Sequence, residues 1–166
     1  LSLGSLVALT GVVAACFAHP ADHPVVVPIA MGVLAGLACG LVNGGIVTFG
    51  GVPPFVVTLG MMTAARGLAL LVSGGKPVSN LSAQFTFLGG DCGGVPVPVL
   101  ILLVVAVASW VLLINTRLGR YVYAVGGNEE AARAAGINVT SVKLFAYGIC
   151  GALAGLAGMV LAARIT

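Results

Sequence analysis

Residues 25–49 form an apolar run of 25 residues without one charged side chain. A helix rises about 1.5 Å per residue and the hydrocarbon core of a bilayer is about 30 Å thick, so about 20 such residues suffice to cross it. Four further runs have the same character. Residues 1–18, 95–114 and 144–163 carry no charge, and residues 53–73 carry only Arg66. The whole chain of 166 residues holds seven basic and four acidic side chains, so 7% of it is charged and 60% is hydrophobic. Soluble domains carry about 25% charged residues; eleven charges cannot solvate a water-soluble globule of this size, and lipid is the expected solvent. A net charge of +3 spread over so few groups also lacks the clustered basic face that nucleic acid requires. The predicted fold is an all-α polytopic membrane helix bundle of about five spanning segments, one transmembrane domain over residues 1–166. The chain opens inside an apolar stretch and stops without a polar tail, as expected for a piece of a longer polypeptide truncated at both ends.

Orientation follows from the basic residues in the short connections. Residues 115–143 carry Arg117, Arg120, Arg133 and Lys143, whereas residues 74–94 carry only Lys76 and residues 19–24 none. The long basic connection is therefore expected on the cytoplasmic side, with residues 50–52 and the N-terminus on that side too. Arg164, at the outer end of the last run, counts mildly against this arrangement.

Glycine sets how the spans pack. Gly32, Gly36, Gly40 and Gly44 fall at every fourth position, and Gly151, Gly155 and Gly158 repeat the device in the last run. Such stripes let helix backbones approach closely in a bundle and do not by themselves mark a site. Between the second and third runs, Gly50-Gly51-Val52-Pro53-Pro54 forbids a continuous helix. Two readings stay open there: a tight cytoplasmic turn, or a span broken at membrane depth beside a cavity.

Most reactive arrangements are absent from the sequence. Gly74-Gly75-Lys76-Pro77 has Leu70 where a phosphate-binding loop needs its first glycine, and Pro77 where Ser or Thr must hold magnesium. His19, Asp22 and His23 are interrupted by Pro20 and Pro24, so no metal site is expected. Cys16, Cys39, Cys92 and Cys150 show no C-x-x-C pair, and no nucleophile arrangement is recognisable. Catalytic and metal-binding residues are thus expected to be none. Arg66 is the one charge well inside a run. It lies seven residues from the run's outer end, about 10 Å at helical rise, so it can snorkel or tie to a carbonyl as well as meet a substrate.

The most informative stretch is residues 115–143. Asn128 is a good N-cap, and Glu129 and Glu130 occupy a first turn where the helix dipole favours negative charge. Glu129 and Arg133 stand four apart, and Gly136 suits the left-handed position past a helix end. The predicted helix, residues 129–135, is about 10 Å long and too short to stand alone. Its uncharged positions are all alanine, which favours docking against a protein partner over resting on lipid headgroups.

Several runs are similar to the membrane permease subunit of ABC sugar importers of the ribose, xylose and galactose type. They are LSLGS at 1–5, GLVNG at 40–44, PFVVTLGMM at 54–62, Arg66-Gly67, GGKPV at 74–78, TRLGRYVYAVGGNEEAAR at 116–133, GINV at 136–139 and CGALAGLAG at 150–158. They run almost end to end in the same order, and the 116–133 stretch is the specific part. The resemblance implies that Glu130, Ala131, Ala132 and Gly136 match the E-A-A-x-x-x-G element of a coupling helix, which sits in a cleft of a separate ATPase subunit. The docking set is then Asn128, Glu129, Glu130, Ala131, Ala132, Arg133 and Gly136. The resemblance further implies no cofactor on this chain, with ATP bound by the partner ATPase; a second permease subunit, as a homodimer or heterodimer; a periplasmic sugar-binding protein; and the bacterial inner membrane. Such permeases are about twice as long as this chain. For a pentose or hexose path, the polar groups nearest the 50–54 break are Asn43, Thr48, Thr58 and Thr63, with Arg66 beyond them. Hydrogen bonding between helices is the alternative role for these groups.

Two rivals belong to other classes. An ion-coupled secondary transporter of a small polar solute would be expected to hold a carboxylate inside a span, yet Asp22, Asp91, Glu129 and Glu130 all lie between runs. A membrane-embedded hydrolase would need a charged or nucleophilic constellation at membrane depth, where only Arg66 stands.

Overall fold

The computed structural model describes residues 2–18, 26–75, 90–92 and 95–165. Lys76, the His19, Asp22 and His23 group, and most of the 74–94 connection lie outside the described residues.

Seven helices account for nearly all of the described chain. They are α1 (Leu3–Ala18), α2 (Val26–Phe49), α3 (Pro54–Ser73), α4 (Val97–Asn115), α5 (Arg117–Gly127), α6 (Glu129–Ala134) and α7 (Val139–Ile165). The all-α membrane architecture expected from the apolar runs is the one observed. A two-residue ribbon, β1 (Asp91–Cys92) antiparallel to β2 (Val95–Pro96), precedes α4. It delays the fourth long helix to Val97, where Pro98 occupies the first turn and needs no helical N–H partner.

Helices α2, α3, α4 and α7 are long and apolar enough to cross a membrane. Helix α1 has 16 residues, about 24 Å at helical rise, and its apolar run meets the first residue of the sequence. Four of the five apolar runs are candidate spans over their described residues, and α1 packs inside the bundle. Helix α1 packs against α2, α3 and α7. Leu6 and Leu9 join Ala65, Ala69 and Ala154 in one buried cluster, while Ala14 joins Met159 and Ala163 in another. Thr10 is fully buried; its hydroxyl donates to Leu6 O at 2.8 Å and lies 3.4 Å from Ala154 O of α7.

The largest packing surface joins α2 to α7. These helices run antiparallel, with Gly32 facing Gly155, Gly36 facing Gly151 and Gly40 facing Tyr147. A methyl group added at Gly155 would lie 2.6 Å from Gly32 O, and one at Gly36 would fall on the Gly151 carbonyl. The absence of side chains here is what permits backbone-to-backbone contact, as expected for small-xxx-small packing in lipid. Helix α4 is the opposite case. None of its residues is buried, and Leu102, Val104 and Trp110 are mostly exposed, a surface suited to hydrocarbon or to further membrane helices and not to water.

The Gly50 to Pro54 break joins two helices that each have spanning length, and it is a turn. Gly50 N–H still bonds Ile46 O at 3.0 Å, Gly51 turns at φ 62°, and Pro53 O accepts from Val56 N–H at 3.0 Å as α3 begins at Pro54.

Gly36→Leu or Gly151→Leu in the complete protein is expected to separate α2 from α7, at a cost of about 1–3 kcal/mol or more for overpacking. The thermal midpoint in detergent should fall with either change. Gly60→Ala, where an added methyl meets nothing within 4 Å, should leave the midpoint in place.

Candidate functional site

The segment between α4 and α7 is almost wholly helical. Thr116 closes one helix and opens the next: its hydroxyl donates to Leu112 O at 2.6 Å and accepts from Gly119 N–H at 3.1 Å. Helix α5, in the part of the 115–143 connection for which no helix is expected from the sequence, places Leu118, Tyr121, Val122 and Val125 at i, i+3, i+4 and i+7, the spacing of one helical face. Arg117 and Arg120 fall to the other side of that face. The cap and the spacing were both present in the sequence; Gly119, Gly126 and Gly127 masked them as loop composition.

Helix α6 has a complete set of end interactions. Asn128 Oδ1 accepts from Ala131 N–H at 3.0 Å, satisfying one of the orphan donors of the first turn. At the other end, Gly136 sits at φ 80°, its N–H bonds Arg133 O, and Ile137 N–H bonds Ala132 O, both at 3.1 Å. These are the two bonds of a Schellman ending, for which glycine avoids the Cβ penalty of the left-handed region. The helix ends at Ala134 with Ala135 as its cap, one residue short of the expected end.

The charges around α6 divide into two kinds. Glu129 is bonded on both oxygens: Oε1 accepts from Arg133 Nη2 at 3.2 Å and Oε2 from Lys143 Nζ at 2.7 Å. The Lys143 hydrogen bond, more than the Arg133 one, holds the Glu129 carboxyl below its usual range. Glu130 is exposed and has no hydrogen-bond or ion-pair partner among the described residues. Asn128, Ala131, Arg133 and Gly136 are exposed as well, whereas Ala132 is 4% exposed and faces the protein. The surface that α6 offers to a partner is thus small, made of Glu130, Arg133 and alanines. Lys143 was assigned to the connection, but Asn138 caps the following helix, accepting from Ser141 N–H at 3.1 Å, so α7 starts at Val139 and Lys143 lies within it.

A cleft of about 340 Å³ separates α6 and the start of α7 from the turn between α2 and α3. Glu129, Arg133, Thr140 and Lys143 line one side of it, and Thr48, Gly51, Pro53 and Pro54 the other. The turn therefore lies at the same end of the bundle as the basic connection.

The five polar groups read as a path are only partly gathered. Asn43 is 2% exposed; its Nδ2 donates to Ser2 Oγ at 3.5 Å and its Oδ1 has no partner among the described residues. Asn43 and Thr58 line one cavity of about 260 Å³ together with Ser2, Tyr147 and Cys150. Thr48 lies apart, in the cleft beside α6. Three hydroxyls bond back to their own helices: Thr48 to Gly44 O at 2.6 Å, Thr58 to Phe55 O at 3.1 Å and Thr63 to Gly60 O at 2.8 Å. Thr63 and Arg66 are on the exposed side of α3, and Arg66 has no hydrogen-bond or ion-pair partner among the described residues. Among the described residues, no three His, Cys, Asp or Glu side chains come together to hold a metal ion.

A family model described as "Branched-chain amino acid transport system / permease component" matches residues 1–166. The chain belongs to this permease family. Among the permease's relatives, the ribose import permease protein RbsC of Escherichia coli (strain K12) is 44% identical over 171 residues, covering 100% of this chain and 53% of the relative. The protein of the same name from Bacillus subtilis (strain 168) is 42% identical over 168 residues, with 99% and 52% covered. The D-allose transport system permease protein AlsC of Escherichia coli (strain K12) is 40% identical over 166 residues, with 99% and 51% covered. The permease chain spans about half the length of these curated relatives. No solved structure matches it at a significant level.

The depressed Glu129 carboxyl makes the α6 region of the permease acid-sensitive in a defined direction. Its contribution is fully present above the ordinary carboxylate pKa of about 4.3 and is lost as pH falls through the lower folded value. Hydrogen-exchange protection of the α6 amides should drop over that acidic interval. Glu129→Gln should abolish the step; an identical step in that variant would assign it to another group.

Proposed function

We propose that this chain is part of the membrane-spanning permease subunit of an ABC importer in the bacterial inner membrane, moving a simple sugar, a pentose or a hexose, into the cytoplasm. The observation that supports this best is the 44% identity, over the whole of this chain, to a protein named as a ribose import permease. In this reading the chain is not an enzyme. ATP is bound and hydrolysed by a separate cytoplasmic subunit, and the permease itself carries no cofactor.

Helix α6 is the element that fits ATPase docking. Its ends are capped, its inward face is fixed by Ala132 and Glu129, and its outward face is small and carries one acid, Glu130, with no partner among the described residues. A six-residue helix without capping and tertiary contacts would fray. The full docking set is Asn128, Glu129, Glu130, Ala131, Ala132, Arg133 and Gly136, of which Glu130, Ala131 and Arg133 are the exposed side chains on the helix. The remaining partners are a second permease subunit, as a homodimer, a periplasmic sugar-binding protein and membrane lipid.

For the sugar path, the cavity shared by Asn43 and Thr58 is the best-supported segment. Asn43 and Thr58 line it; Asn43 Oδ1 is buried with no partner among the described residues, an arrangement that costs about 1–3 kcal/mol and that a side-chain shift toward a donor in the cavity would relieve. Thr48, Thr63 and Arg66 would belong to other stretches of the path.

Glu130→Lys and Gly136→Trp, made separately in the complete permease, should each weaken co-purification of the ATPase while leaving the permease inserted. Glu130→Lys reverses the exposed charge; Gly136→Trp forces a bulky side chain into a left-handed backbone, at about 1–2 kcal/mol. Full retention of the ATPase by both variants would show that α6 is not the contact.

A further inference from the structure

Helix α6 packs against α5 and α7, and α5 itself packs against α7, but few polar contacts tie α6 to the bundle. The backbone from Ala135 to Asn138 contains Gly136 at φ 80°, a residue whose backbone is free to turn. Across the 340 Å³ cleft, the turn between α2 and α3 makes no described hydrogen bond to α6. Among the described residues, one side-chain hydrogen bond joins α6 to α7: Lys143 Nζ to Glu129 Oε2 at 2.7 Å. The same carboxylate accepts from Arg133 at 3.2 Å, which fixes its rotamer along α6. Lys143 is partly covered, with its side chain 30% exposed, and it sits in the second turn of a 27-residue helix. Further along, that helix meets α2 backbone to backbone at Gly151 and Gly155.

We infer that the Glu129–Lys143 ion pair is the strut that transmits displacement of α6 to α7, and through the glycine contact to α2. Lys143 is thus a positioning residue for coupling. The inference rests on the reading of α6 as the ATPase-docking element. Without the pair that polar tie is lost, and displacement of α6 reaches α7 only through the Gly136 link and the packing of α5 and Ala132. With it, α6 and the first turns of α7 move as one piece. The cleft beside the α2–α3 turn provides the space for that movement.

The test uses the complete permease with its ATPase and sugar-binding protein in liposomes, measuring ATPase co-purification, ATP hydrolysis and uptake of D-ribose. Lys143→Met should retain the ATPase and its hydrolysis but lower the sugar taken up per ATP by about two- to fivefold, the range of an exposed ion pair. Lys143→Arg should keep the ratio near wild type. Glu129→Lys combined with Lys143→Glu should recover part of the ratio lost in Lys143→Glu alone. Reduced folding or insertion would lower hydrolysis and uptake together and leave the ratio unmoved. An unchanged ratio in Lys143→Met, or a charge swap no better than Lys143→Glu alone, overturns the strut. Loss of the ATPase in Lys143→Met also overturns it, by making Lys143 part of the docking surface. If the wild-type permease holds no ATPase, the docking reading fails first, and co-purification alone reveals it.

Discussion

Bare backbone at Gly36, Gly40, Gly151 and Gly155 sets the distance between α2 and α7, and the other elements are placed by that contact. In lipid there is no hydrophobic drive to bring apolar helices together, so close van der Waals approach has to supply the association. Helix α1 then fits against the pair, with Thr10 reaching the Ala154 carbonyl of α7 and Ser2 reaching Asn43 of α2. Helix α3 closes over α1 through Ala65 and Ala69. Helix α4, with no buried residue, lies outside this unit.

The same contact connects the membrane part to α6, the helix proposed to dock. Helix α7 is one continuous element from Val139 to Ile165. Its first turns hold Lys143 beside Glu129, and its later turns hold the glycines against α2. The proposed strut would make the short capped helix and the glycine-packed pair ends of one mechanical element. Glu130 is exposed with no partner among the described residues, while Glu129 is bonded to Lys143; two adjacent acids in one turn differ so because successive helical positions point about 100° apart.

What the sequence discloses here is mostly local. Runs of apolar residues define the helices because lipid demands internally satisfied backbone, and Asn128, Arg133 and Gly136 define α6 because caps and i,i+4 pairs act within a turn or two. The family resemblance rests on the same local stretch, 116–133. What stayed hidden is tertiary. Nothing in the sequence pairs Lys143 with Glu129, 14 residues away, or Asn43 with Ser2, 41 residues away. The hydroxyls of Thr48, Thr58 and Thr63 looked alike as path candidates, and only the folded chain shows each turned back on its own helix. Helix α5 was missed because three glycines in eleven residues outweighed its cap and its spacing.

In the proposed function, this chain belongs to a permease that couples a partner's ATP hydrolysis to sugar movement. The most direct measurement is ATP hydrolysis by the complete permease assembled with its ATPase in liposomes, with a sugar-binding protein added either empty or loaded with ribose. The loaded protein should stimulate hydrolysis, and labelled sugar should accumulate on the ATPase side. Hydrolysis indifferent to the binding protein, with sugar movement following an ion gradient instead, would contradict that function.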